Sequence, residues 1–369
     1  MIGRRLTLPV FLLLLLLNIA CASAQSRPII GELRESMRTQ LAEQRIPGFS
    51  VAVVANDQLV WSEGFGFADV ESGMRATGST IYRIGSVSKP VVGTALLQLV
   101  EQGKVDLDAE LQTYVPEFPR KRWPVTTRHL VTHTSGIRHY QGAEFASMKR
   151  YDDLVSSIEI FAADPLLFEP GTRYSYSTYG FNLVANVVEN ASGMTIDDYM
   201  ARYVYEPAWM NNSAMEDQRE IQLGRAKWYE TDRSGAWVNA PYADLSNKYA
   251  GGGITSTVED LCRLHIAYAS GKMMKPETAE QMYTNQTLKD GSPHSYGLSW
   301  RVDQFELPDG RMVRRVSHGG SSVGANTSFI RFPDQGFAIV VIANHRAQLN
   351  RIVREVIRIF HGAGAFGER

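Results

Sequence analysis

The sequence predicts an α+β fold in which one antiparallel sheet, flanked by helices, is built from both ends of the chain around an inserted, mostly helical lobe. Three observations predict it. Two strand-like segments joined by a tight turn stand near the start; the middle is rich in helical patterning; and strand-like segments punctuated by turn residues fill the last third.

Taken in order, residues 49–54 and 58–65 read as strands around an Asn56-Asp57 turn, a hairpin signal. Residues 80–84 are strand-like. Residues 87–102 carry a helical pattern with Val92, Ala95, Leu96 and Leu99 on one side, and Pro90 falls in the first turn, where its missing N–H would be unpaired anyway. From about residue 106 to 216 the clearer helices are 152–163, 179–190 and 196–204, with a turn at Pro170-Gly171. Residues 296–302, 312–317, 327–332 and 337–343 then read as strands. Pro308-Asp309-Gly310 and Pro333-Asp334-Gln335-Gly336 are turns between antiparallel neighbours, and a helix closes the chain at 349–361. This reading makes residues 25–369 a single domain, with 25–105 and 217–369 as an α/β lobe and 106–216 as the helical lobe. A crevice between two lobes is a usual place for a ligand.

The chain has 369 residues, a formal net charge of -1, 44% hydrophobic and 21% charged residues. That is enough apolar material for a full core, and the neutral balance gives no electrostatic reason to expect nucleic acid as a partner. Arg4 and Arg5, the apolar run 6–19 and Ala22-Ser23-Ala24 have the pattern of a signal peptide over residues 1–24, cleaved before Gln25. The expected location is periplasmic or secreted, with no transmembrane span in the mature chain. Two alternatives place the protein at a membrane: an uncleaved N-terminal anchor, or a lipoprotein anchored through Cys21. Cleavage would leave Cys262 as the lone cysteine, so no disulfide is expected within the domain, and its helical surroundings predict a buried, inert thiol.

The sharpest local signal is Ser86-Val87-Ser88-Lys89, set between the strand-like segment and a helix. Ser and Lys three apart on a helix share a face, with side-chain roots about 5–6 Å apart. A helix start also offers unpaired N–H groups and the positive end of the dipole to an oxyanion. A serine hydroxyl is a poor nucleophile until a neighbour takes its proton, and Lys89 is placed to do so or to tune another base. Alone the spacing says little, because serine is a common N-cap and lysine is common on helix surfaces.

Two further segments follow in order: Tyr174-Ser175-Tyr176-Ser177-Thr178-Tyr179-Gly180, leading into a helix, and His318-Gly319-Gly320-Ser321, read as lying just beyond a strand. With Ser86 and Lys89 they make the sequence resemble the serine β-lactamase and transpeptidase-like family: class C β-lactamases, penicillin-binding D-alanyl-D-alanine carboxypeptidases, and related esterases and peptidases. The resemblance spans essentially the whole mature chain, including 130–136, Ala250-Gly251-Gly252-Gly253-Ile254 and 256–261. Residues 135–140 and Tyr176-Ser177-Thr178 look particularly like the branch of the mitochondrial serine β-lactamase-like protein.

The resemblance implies an enzyme, a serine hydrolase that forms an acyl-enzyme at Ser86 on a small-molecule or peptide substrate, with no cofactor and no metal. It implies that Lys89 and Tyr176 share the proton handling. A nearby ammonium would lower the tyrosine pKa from its reference of about 10, which makes a phenolate base one alternative and Lys89 the other, a choice the sequence leaves open. It places His318 where β-lactamases carry the lysine of their Lys-Thr-Gly strand. Gly320 and Ser321 fall at the oxyanion site, which the backbone N–H groups of Ser86 and Ser321 would form. Two departures stand out: Thr178 replaces the asparagine of the Tyr-x-Asn motif, and His318 replaces a permanently charged lysine with a side chain that titrates near neutrality. Both argue for esterase or peptidase chemistry over β-lactam hydrolysis. The alternatives are a carboxypeptidase or β-lactamase acting on cell-wall precursors, and a non-catalytic self-assembling protein, a homo-oligomer or filament, as the mitochondrial branch assembles into filaments.

The same stretches carry rival readings. Gly320-Ser321-Ser322-Val323-Gly324 fits a nucleophile elbow, with Asp334 and His345 in matching order, but that elbow needs a helix where residues 325 onward read as strand. His129 and His133, with His139 near, have helical spacing for a metal, but no glutamate stands between them. Tyr174 and Tyr179 read as core aromatics, Gly64-Phe65-Gly66 as hairpin material, and residues 137–147 and 218–242 as loops forming the pocket floor.

Overall fold

The structure, a computed structural model, describes residues 29–366; the signal-peptide and Cys21 expectations lie outside the described residues. Twelve strands are present among these: β1 (Gly48–Ala55), β2 (Gln58–Asp69), β3 (Met74–Arg75), β4 (Tyr82–Arg83), β5 (Ala214–Met215), β6 (Tyr229–Thr231), β7 (Trp237–Asn239), β8 (Ile254–Ser256), β9 (Arg301–Glu306), β10 (Met312–Ser322), β11 (Ala325–Phe332) and β12 (Phe337–Ala343). Seven of them form one antiparallel sheet in the order β3-β2-β1-β12-β11-β10-β9. The two ends of the chain therefore meet at its centre, where β1 pairs with β12 and Val51 faces Val341.

The Asn56-Asp57 turn joins β1 to β2 with both residues at positive φ, 50° and 54°. That is the turn whose twist matches paired strands, and asparagine and aspartate tolerate it. Strands β1 and β12 are buried along their whole length, because both faces of the sheet are covered. Val51, Val53, Ile339 and Val341 face a cluster with Leu33, Met37, Ile352 and Val356 from the first helix (29–43) and the last (Leu349–Gly362). Ala52, Val54, Val340 and Ile342 face the larger cluster on the other side. The period-2 side-chain alternation thus divides one strand between two apolar layers.

The larger cluster includes the helix Ser88–Glu101, the helix Tyr179–Ser192 and the helix Val258–Ala269. Ser88–Glu101 is central rather than one-sided: Val91 and Leu97 are as fully buried as Val92, Ala95, Leu96 and Leu99. Cys262 is buried in Val258–Ala269, and burial raises its thiol pKa. Between β4 and β5 the chain forms the helices Thr127–Val131, Leu154–Ala162, Tyr179–Ser192 and Ile196–Met200, joined by loops. No helix among the described residues is long and apolar enough to cross a membrane.

Two expectations fail. Residues 296–300 are not strand; β9 begins at Arg301, and Tyr296, Leu298 and Trp300 are buried from a folded-back loop in which Ser299 takes φ 71° and Gly297 N–H bonds Trp300 O at 2.8 Å. Apolar alternation from an inward loop imitates a strand. Conversely, His318 to Ser321 lie inside β10, with His318 opposite Phe329 and Gly320 opposite Thr327. Glycines carry no side chain to signal a strand, yet here one is required: a Cβ on Gly320 would stand 2.0 Å from Ile84 O.

Candidate active site

Ser86 sits in a single 3₁₀ turn, Gly85–Val87, that opens the helix Ser88–Glu101. Gly85 has φ 51°, and a Cβ on it would lie 2.7 Å from Ser321 N, so the turn and β10 touch backbone to backbone. One turn on, Lys89 is fully buried, with Nζ 3.1 Å from Ser86 Oγ, 3.1 Å from Thr178 Oγ1 and 2.6 Å from Gly251 O. Thr178 stands at the N-cap of Tyr179–Ser192, and its own N–H donates to His139 Nδ1 at 3.2 Å. Tyr176, just upstream, has its ring 4.8 Å from Lys89 Nζ and its hydroxyl in hydrogen-bonding contact with Ser86. Three separate stretches of chain thus converge on one hydroxyl.

Burial acts in opposite directions on the two ionisable neighbours of Ser86. It holds the Lys89 ammonium well below the ordinary lysine range, with the charge of Lys248 adding to the effect. It pushes the Tyr176 phenol up, against the hydrogen bond from Ser86. The expectation that a nearby ammonium would lower the Tyr176 pKa is therefore overturned: burial raises it and keeps Tyr176 a neutral phenol.

His318 also departs from expectation. Nδ1 lies 2.7 Å from Gly319 O and Nε2 2.8 Å from Tyr296 Oη. A carbonyl only accepts, so Nδ1 carries the proton and Nε2 accepts from Tyr296. His133 Nδ1 accepts from Ser177 N–H at 3.2 Å, which leaves its Nε2–H to donate to Tyr296 Oη, also at 3.2 Å. The chain His133–Tyr296–His318 is closed with both imidazoles neutral. Burial pushes His318 down to about 3, so it does not titrate near neutrality.

In front of Ser86 is a cavity of about 740 Å³, bounded by Tyr176, Thr178 and the Gly319-Gly320-Ser321 edge of β10. Tyr140 and Phe145 of the 137–147 loop line it as expected, but nothing from 218–242 does; Trp228 and Ala240 instead pack under Gly324 and support the β10–β11 turn. The start of the helix Leu349–Gly362, with Arg351 and Arg354, forms another wall that sequence reasoning missed. It also missed Lys248, Tyr296 and the Gly251 carbonyl, whose roles depend on burial that no local pattern announces. Tyr179 is buried as expected, whereas Tyr174 is 38% exposed.

The rival constellations come apart. Ser322 is buried in a strand, Asp334 pairs with Arg314, and His345 bonds Thr231. His129 Nδ1 accepts from Thr126 N–H in a capping box, a different task from that of His133. The described residues hold no cluster of three metal-ligating side chains.

Residues 33–360 match the protein family described as Beta-lactamase. The human mitochondrial serine beta-lactamase-like protein LACTB is 30% identical over 406 residues, covering 86% of this chain and 73% of that one. A putative penicillin-binding protein of Bacillus subtilis, PbpX, is 30% identical over 259 residues, 69% of this chain and 62% of its own. Among solved structures, an octameric penicillin-binding protein homologue from Pyrococcus abyssi superposes with a TM-score of 0.76 at 25% identity, covering 92% and 78% of the two chains. A D-amino acid amidase from Ochrobactrum anthropi shares the fold, with a TM-score of 0.77 at 20% identity over 91% and 99%.

Proposed function

The chain belongs to the β-lactamase family of serine hydrolases, and from that premise we propose that it hydrolyses a peptide, amide or ester through an acyl-enzyme at Ser86. The observation that carries this reading is the 3.1 Å contact between a buried Lys89 Nζ and Ser86 Oγ at the edge of a 740 Å³ cavity. As a free amine, Lys89 donates two N–H groups to Gly251 O and Thr178 Oγ1 and accepts the Ser86 proton on its lone pair. Ser86 Oγ then attacks the carbonyl carbon. The backbone N–H groups of Ser86 and Ser321 receive the developing oxyanion, where one donor is worth about 3 kcal/mol of barrier. Tyr176, kept as a phenol, passes a proton to the leaving group and is refilled from Lys89. Water repeats the sequence to release the acid.

Thr178 in place of an amide, and a His318 that carries no charge, support an ester or peptide substrate over a β-lactam. In this proposal residues 25–369 are one catalytic unit, exported by the N-terminal leader. The octameric homologue supports self-association alongside catalysis.

The test is covalent. A fluorophosphonate probe is expected to label Ser86, and Ser86→Ala to abolish labelling and lower ester turnover by at least about 10³-fold while the protein stays folded. Labelling at another residue, or ester turnover undiminished in Ser86→Ala, overturns the assignment.

A further inference from the structure

Lys248 is 1% exposed and ends the short turn Ser246–Lys248, three residues before Gly251. Its Nζ donates to Phe145 O and lies 4.6 Å from the Phe145 ring centroid and 5.3 Å from that of Tyr140. Its stem runs along Gly252: a Cβ there would meet Lys248 Cδ at 3.5 Å and Cγ at 3.7 Å, with Gly85 C at 4.0 Å. Lys89 meets the adjoining glycine, through Gly251 O. Two buried lysines therefore flank Gly251-Gly252 beside Ser86, and neither has a carboxylate within ion-pair distance among the described residues.

Two desolvated ammonium groups without counterions repel each other, and the one better satisfied as an amine gives up its proton. Lys89 is that one, because the Ser86 hydroxyl can donate to its lone pair. Lys248 has no hydroxyl among its hydrogen-bond partners; a carbonyl and two aromatic faces surround it, and all three favour a cation. We propose that Lys248 is a positioning residue that holds Lys89 as a free amine by its charge and ties the Tyr140–Phe145 wall to the floor of the site. This rests on the Ser86 and Lys89 reading above.

The other groups facing Lys248 leave its charge as the effective one. Arg83 and Glu216 neutralise each other in a buried bidentate pair. Glu144 of the wall loop is bound to Arg138. His139 is pushed down to about 4, chiefly by burial, and so carries no competing charge. Burial holds both lysines below the ordinary lysine range, Lys248 at about 7, so Lys248 carries its charge on the acid side of neutrality, where the limb is read. Lys248 borders the cavity in front of Ser86 but is almost without exposed surface, and its Nζ is turned to the Phe145 carbonyl, so the proposed action is through its neighbours.

The experiment measures the rate of Ser86 labelling by a fluorophosphonate from pH 5 to 9 in wild type, Lys248→Met and Lys248→Arg. Removing the charge raises the Lys89 pKa, so the acid limb in Lys248→Met moves to higher pH by one unit or more. That is at least a tenfold slower reaction on the limb, converging on wild type at alkaline pH. Lys248→Arg keeps the wild-type limb. A limb unmoved in Lys248→Met, or a rate lowered by one factor at every pH, overturns the proposal. If Lys248→Met does not fold, Lys248→Gln is read by the same criteria. Absence of wild-type labelling strikes the assignment of Ser86 instead, so the two failures are distinguishable.

Discussion

Gly251 offers a steric lever on the reacting group. A Cβ there would stand 2.5 Å from Thr178 Cγ2, 2.7 Å from Thr178 O and 3.3 Å from Phe181 Cβ. Two of these contacts are to atoms fixed at the buried start of the helix Tyr179–Ser192, so the strain is relieved only by separating the segments. Opening the shortest contact to about 3.5 Å moves them apart by about 1 Å. Lys89 Nζ is 2.6 Å from Gly251 O and 3.1 Å from Thr178 Oγ1, so the same movement stretches at least one bond past about 3.5 Å and swings the amine away from Ser86. A misplacement of that size costs about 10²-fold in rate, or ~2.7 kcal/mol, and overpacking costs about 1–3 kcal/mol of stability. The assay is Ser86 acylation in Gly251→Ala by stopped-flow ester hydrolysis, with the denaturation midpoint measured in parallel. The neighbour supplies the control. In Gly252→Ala the nearest atoms are flexible lysine methylenes at 3.5 and 3.7 Å, an ordinary contact, so both rate and stability suffer far less. Equal damage from the two substitutions, or a silent Gly251→Ala, refutes the steric argument.

Two further outcomes follow from charges out of solvent. In Glu216→Gln the Arg83 guanidinium, 2% exposed and bonded also to Val323 O and Ala243 O, loses its counterion; about 3–5 kcal/mol of stability should disappear, whereas Arg83→Met with Glu216→Leu together costs less. Chemical denaturation checks it, and a single-substitution loss below about 1 kcal/mol counts against the pair. Burial depresses six histidines below their ordinary 6.5: His318 to about 3, His129 and His139 to about 4, and His133, His294 and His345 in the same direction. The unfolded chain therefore binds protons first as pH falls, and stability declines from about pH 6.5 toward 4 rather than holding level. Thermal midpoints across that window test the sum, and an NMR midpoint for His318 near neutrality would falsify its share.

Much of the fold was legible because its signals are local. Asn56-Asp57 marks a turn through its tolerance of positive φ, and Phe337 to Ala343 is an uninterrupted apolar run of strand length that became a strand with those limits. Ser86, Lys89, Tyr176 and Thr178 were named from spacing and from resemblance, and the fold brings these four side chains together. What sequence could not supply was depth. Tyr296 to Trp300 alternates like a strand because a loop turns alternate side chains inward. Lys248 reads as an ordinary lysine before a glycine cluster, until packing removes its solvent. His318 was misjudged for the same reason: an imidazole titrates near neutrality only while water reaches it, and both its nitrogens are taken.

That missing depth determines the acid–base chemistry. Desolvation always disfavours the charged form, but the charged form is the protonated one for lysine and the deprotonated one for tyrosine. Enclosing Lys89 and Tyr176 together therefore drives their pKa values apart from opposite sides, favouring the amine without its proton and the phenol with its proton. A surface pair with the same spacing would be an ammonium and a phenol, with nothing to accept the serine proton. On the proposed mechanism, then, the base and the acid have a single cause, the exclusion of water from one small volume. A substitution that admits water there without touching either side chain should disable the base before it disables the acid.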